Sequence, residues 1–170
     1  MNAIKYLTKE TLNRALENAS GNQRDWMILK TLAHTGLRAS ELCDLQVKNA
    51  FLSEKYLYVV GKGGFIRSID ISTDTANLLQ MWISQKKLRP NDTIFDVKYP
   101  TVYRICVKYS GHKPHAFRHT YAISLLRTTG NIRYVQKQLG HRNLNNTQIY
   151  LDFLDYDKEK AKLSKLHGDD

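Results

Sequence analysis

The chain has 170 residues, 42% of them apolar, with two Trp, ten Tyr and five Phe, enough to fill the core of one compact domain and too much for a wholly disordered chain. Lys and Arg outnumber Asp and Glu by 26 to 16, and the net charge of +10 points to a polyanionic partner. No apolar run approaches the roughly 20 residues of a membrane span, and the opening MNAIKYLTKE lacks a secretory core; a soluble, cytoplasmic protein with no membrane partner is expected.

Residues 7–19 predict a first helix, with Thr8 as N-cap and Leu12, Ala15 and Leu16 at helical spacing. Residues 25–34 continue with Trp26, Ile28, Leu29, Leu32 and Ala33, a buried pattern that Gly36 breaks, and residues 39–45 restart a short helix. Three short strands are expected next. Residues 56–60 and 66–71 flank the turn Gly61-Lys62-Gly63-Gly64, a hairpin signal. Thr73 or Asp74 then caps a helix running through Leu78, Leu79, Trp82 and Ile83 to Lys87, and residues 100–109 predict another. From Ala116 the apolar positions recur at helical spacing until Gly130, and residues 132–139 form a helix that ends at Gly140. The segment 143–150 is polar and conformationally loose, placing Tyr150 on a short helix or a mobile stretch, and residues 156–166 read as an amphipathic tail helix. The fold class is mainly α with a small antiparallel three-stranded β-sheet. Cys43 and Cys106 have neither zinc nor disulfide spacing and are read as reduced, buried thiols.

Charge is distributed unevenly. The 55 residues between Asp96 and Asp152 contain no acid, yet carry nine Lys or Arg and four of the six histidines, His112, His115, His119 and His141. A polyanion fits that arrangement better than a solubilising surface does. The stretch also offers no carboxylates for a two-metal centre.

Taken singly, each chemically interesting residue has an ordinary explanation. Arg38 can pair with Glu41 at i+3, and His115 and Arg118 share one helix face as a basic turn would. His141 can neutralise a helix C-terminus, Tyr150 can be a packing residue, and Lys62 can sit idle at a hairpin tip. His119 beside Arg118 is compatible with a supporting role or a core role, and Glu41 is read as structural, orienting Arg38 or a neighbouring base.

Order and spacing change that balance. TGLRASEL (residues 35–42), GKGGFIR (residues 61–67), HAFRHT (residues 115–120) and LGHRNLNNTQIY (residues 139–150) together resemble the motifs of the tyrosine recombinases of the phage-integrase and Xer type. Phe65 stands where the family often has a second base, Asp70 where proline is common, and Phe117 where leucine is usual. The resemblance implies the DNA breaking-rejoining catalytic fold and six catalytic residues: Arg38, Lys62, His115, Arg118, His141 and Tyr150. It implies a partner, double-stranded DNA, a homotetramer when synapsed and a monomer in isolation, and no metal or cofactor. Residues 1–170 read as one catalytic domain, without the family's N-terminal clamp domain.

The chemistry suits these residue types. A pentacoordinate phosphate gathers charge on its non-bridging oxygens, and planar, permanently charged guanidiniums stabilise it best. A phenol with an ordinary pKa of about 10 needs a base, for which His115 is the natural acceptor. Two alternatives remain beside a site-specific recombinase: a nicking-closing enzyme like the type IB topoisomerases, and a catalytically idle DNA-binding module whose affinity would be salt-sensitive.

Overall fold

The structure, a computed structural model, describes residues 4–61, 64–141 and 143–154. Lys62 and the expected tail helix lie outside the described residues.

Helix α1 (Lys9–Ala19) starts where the Thr8 hydroxyl accepts a bond from the Thr11 N–H. The cap itself is extended, so Leu7 stays outside the helix; it is buried and donates its N–H to Thr120 Oγ1 at 2.8 Å. Helix α2 (Gln23–Thr35) begins two residues before the expected Asp25, because the Asn22 side chain caps it. It ends at Gly36, whose φ of +63° closes the C-terminus in the left-handed region. Helix α3 (Ala39–Asp44) follows at once, its first residue preceded by Arg38 in extended conformation.

The sheet has the order β1 (Ala50–Phe51), β2 (Tyr56–Val60), β3 (Ile66–Asp70), antiparallel throughout, with Tyr56 opposite Asp70 and Val60 opposite Ile66. Strand alternation buries Leu57, Val59, Arg67 and Ile69 on one face. An arginine thus shares the inward face with three apolar side chains.

Helix α4 (Thr73–Lys86) is capped by Ser72, one position before the expected Thr73, because the Ser72 hydroxyl takes the Thr75 N–H. Helices α5 (Tyr99–Ser110) and α6 (Pro114–Thr129) each begin with a proline in the first turn, where a missing N–H costs nothing, and this moves both starts ahead of the expected positions. Helix α7 (Ile132–Leu139) ends at Gly140, and α8 (Asn145–Gln148) is a single turn followed by a 3-10 turn, Leu151–Phe153.

Apolar side chains form two clusters. The larger joins α1 to α5, the sheet and the start of α6 around Ile28, Leu32, Leu42, Leu57, Leu79 and Phe95. The smaller packs Ala122, Ile123 and Leu126 of α6 against Val135 and Leu139 of α7, with Tyr150 among them. Cys106 is buried as expected, whereas Cys43 is partly exposed. Among the described residues, no helix is long and apolar enough to cross a membrane.

Candidate active site

The breaks in the helices aim the site. Gly36 turns the chain so that Arg38 stands at the mouth of α3, and a side chain at Gly36 would collide with the Tyr121 ring. The same glycine's carbonyl accepts a 2.7 Å bond from Arg118 Nη1, so one residue places one arginine and anchors the other.

Glu41 is the hub. Its carboxylate receives Arg67 Nη1 and Nη2 at 2.8 Å each, Arg38 Nη1 at 2.9 Å and the Arg38 backbone N–H at 2.8 Å, with Arg118 Nη1 3.9 Å away. Burial pushes the Glu41 carboxyl upward, but the Arg67 pair, the Arg38 N–H and Arg118 outweigh it and hold it down to about 2. Three guanidiniums facing one carboxylate leave an uncompensated positive charge, which an oxyanion would neutralise.

Each guanidinium has a different freedom. Arg118 is 1% exposed and spends its donors on the carbonyls of Gly36 and of Leu139, the latter at 2.6 Å. Burial, then the charge of Arg38, lowers it to about 10, still a cation at neutral pH. Arg67 is buried, with Nε on the Gln138 carbonyl at 3.1 Å. Arg38 is the open member, its side chain 40% exposed. An 800 Å³ cleft bordered by Arg38, Glu41, Arg67, Gly61, Gly140 and His141 lies in front of them. A 170 Å³ pocket beside it shares Arg38 and is lined by His115 and Arg118.

His141 follows the left-handed Gly140, as its position after a helix end predicts. Its Nε2 lies 3.3 Å from Arg118 Nη2, which can only donate, so Nδ1 carries the proton and donates to Thr147 Oγ1 at 2.9 Å. Burial and then Arg118, Arg38, Arg67 and His115 lower His141 to about 4, leaving it neutral. His115 is exposed and is also shifted down, by desolvation first and then by Arg118 and Arg38.

Of the two expectations for this segment, the short helix is the one that forms, and Tyr150 follows it in a turn. The tyrosine is 1% exposed, and its hydroxyl lies 2.8 Å from Nδ1 of His119, not of His115. Burial pushes the phenol up to about 12 against the pull of Arg118 and Arg38, while burial, His115 and Arg118 bring His119 down to about 4. The His115 ring stands edge-on to His119, with centroids 4.7 Å apart.

Arg38, His115, Arg118 and His141 therefore line two pockets that share Arg38, and Tyr150 is linked to them through His119 and His115. Lys62 is outside the described residues; the neighbouring Gly61 borders the cleft. Sequence reasoning did not single out Arg67, which the structure places on the inward-facing register of β3. It left His119 between two roles, and the structure gives it direct contact with the phenol.

Comparison with known proteins bears on the family and the fold. The family model described as the phage integrase family matches residues 5–156. A tyrosine recombinase of Pseudothermotoga lettingae is 36% identical over 168 residues, covering 92% of this chain and 59% of the relative. A crystal structure of XerA recombinase superposes with a TM-score of 0.78 at 27% identity, covering 99% of this chain and 65% of that one. The catalytic domain of bacteriophage HP1 integrase, at 21% identity, shares the fold with a TM-score of 0.75 over 94% of both chains. This chain thus spans less than two thirds of the first two. With its motifs in order, its folded shape in common and nearly its whole length matched, the chain belongs to the phage integrase family, whose relatives here are tyrosine recombinases.

Proposed function

We propose that this chain cuts and rejoins double-stranded DNA as the catalytic part of a site-specific recombinase, with Tyr150 as nucleophile. The observation that carries the reading is the excess positive charge around Glu41, held at the edge of a cleft and flanked by two neutral histidines. Such a site sets fixed positive charge where a pentacoordinate phosphate gathers its extra negative charge.

In the proposed step the Tyr150 oxygen bonds to phosphorus and the bond to the 5′ oxygen breaks. The phenol proton passes to a histidine, for which His115 in its neutral form is suited. Arg38 offers its open edge to a non-bridging oxygen, while Arg118 holds the floor of the site. His141 adds a hydrogen bond once the phosphate draws its Nε2 away from Arg118; an anion there also favours the protonated ring. Lys62, by family resemblance, supplies the proton to the leaving 5′ oxygen. The products are a 3′-phosphotyrosyl ester and a free 5′-hydroxyl; one ester replaces another, so a second 5′-hydroxyl can reverse the step with no external energy source. The net charge of +10 supports DNA as the partner, and exchange between two duplexes implies a homotetramer at synapsis.

Incubation with a suicide DNA substrate tests the reading. Wild type should give a protein–DNA adduct that survives denaturant, and Tyr150→Phe should lose the adduct while keeping affinity. An adduct formed by the phenylalanine variant would remove Tyr150 from its role.

A further inference from the structure

Building on the reading of Tyr150 as nucleophile, we infer that His119 is its positioning residue: the imidazole holds the phenol in a buried place that lines neither pocket. Tyr150 lines neither cavity, and its ring is packed among Ala122, Leu126, Val135 and Leu139. The 2.8 Å bond joins the phenol to Nδ1 of neutral His119: with the ring proton on Nε2 the phenol donates, and with it on Nδ1 the phenol accepts. The lowered pKa of His119 favours that neutral form, and the raised one of Tyr150 keeps the phenol protonated.

A nucleophile needs its oxygen within roughly 3–3.5 Å of the atom attacked, with a lone pair aimed at it. A hydroxyl hydrogen-bonded to His119, on a buried ring that lines neither pocket, has to be freed before it can meet both conditions. His119 is braced for this task, by the edge-on His115 ring on one side and by its own edge contact with the Tyr150 ring, at 5.7 Å, on the other. Release of the phenol requires this hydrogen bond to break, so His119 sets how often the nucleophile is available.

Peptide-resolved nitration of the intact, DNA-free chain by tetranitromethane tests the inference, with the exposed Tyr58 and Tyr99 as internal references. In wild type, Tyr150 should react far more slowly than either. His119→Ala should speed it by about tenfold, the factor that loss of one net hydrogen bond allows, with the references unchanged. His119→Asn, whose amide oxygen can accept at the same place, should restore protection, whereas His119→Leu should not; a merely space-filling histidine predicts the reverse. If every tyrosine of the alanine variant accelerates together, the Asn and Leu pair decides. Tyr150 nitrated as fast as Tyr58 in wild type, or equal protection by Asn and Leu, would overturn the inference. The adduct test on Tyr150→Phe is independent, so the stowage and the nucleophile assignment can fail separately.

Discussion

Arg118 and Tyr150 are each about 1% exposed, yet they are buried in different ways. Arg118 is tied by charge and hydrogen bonds to chain far away in sequence: Gly36, Glu41, Leu139 and His141. Tyr150 sits in a segment whose backbone bonds are local, from Tyr150 N–H to Thr147 and from Phe153 N–H to Tyr150. Its links to the body are side-chain contacts: the phenol on His119, Thr147 on His141, and the Phe153 carbonyl on Arg127. The guanidinium cluster is held by bonds between distant parts of the fold, whereas Tyr150, the proposed nucleophile, can leave its place by exchanging a few bonds and some apolar contact. Strain or mutation in the first region should therefore cost stability and rate together, and changes in the second should act on access.

The sharpest test of that contrast is Arg67→Met. Removing one partner of a buried pair leaves Glu41 without its two best bonds, and about 3–5 kcal/mol of stability should be lost in a urea melt, part of it recovered when Glu41→Gln is added. A loss below about 1 kcal/mol, the range of a surface pair, would break the contrast. Next is Arg118→Lys, which keeps charge but not the planar fork; single-turnover cleavage of a suicide substrate should fall by about 100- to 1,000-fold. A smaller loss, about 1–3 kcal/mol in thermal denaturation, is expected for Gly140→Ala, since φ there is +66° and the new methyl would meet the Arg67 side chain. Mild acid should do least. The folded pKa of Glu41, about 2, lies below the ordinary 4.5, so its stabilisation is complete above pH 4.5 and is lost as pH falls toward 2. At pH 4 most of it remains, and Glu41→Gln should flatten this part of the pH-stability curve.

Much of this was legible in the sequence because it rests on local rules. The helices and hairpin announce themselves by period and by caps at Thr8, Gly36, Gly130 and Gly140, and the structure shifts their ends by a residue or two where Asn22, Ser72, Pro100 and Pro114 compete for the first turn. The motif arginines and histidines were found because their order along the chain is characteristic of the family. Burial of Tyr150 was legible only as the ordinary packing role of a tyrosine: the segment 143–150 is polar, and the packed pair α6 and α7 supplies the apolar pocket that receives the ring. Arg67 was hidden for a related reason. A lone arginine in a strand ordinarily faces water, and what turns it inward is a carboxylate 26 residues away together with a carbonyl 71 residues away.

The crowding of guanidiniums around one carboxylate has a consequence for target choice. On the proposed function these guanidiniums would meet a phosphate, and every step along a duplex offers the same one, so the hub around Glu41 would not tell one base from another. Discrimination between sites has to be made by surfaces outside that hub that read base edges or helix shape, and a variant with altered target preference should carry its substitutions there and leave the hub around Glu41 untouched.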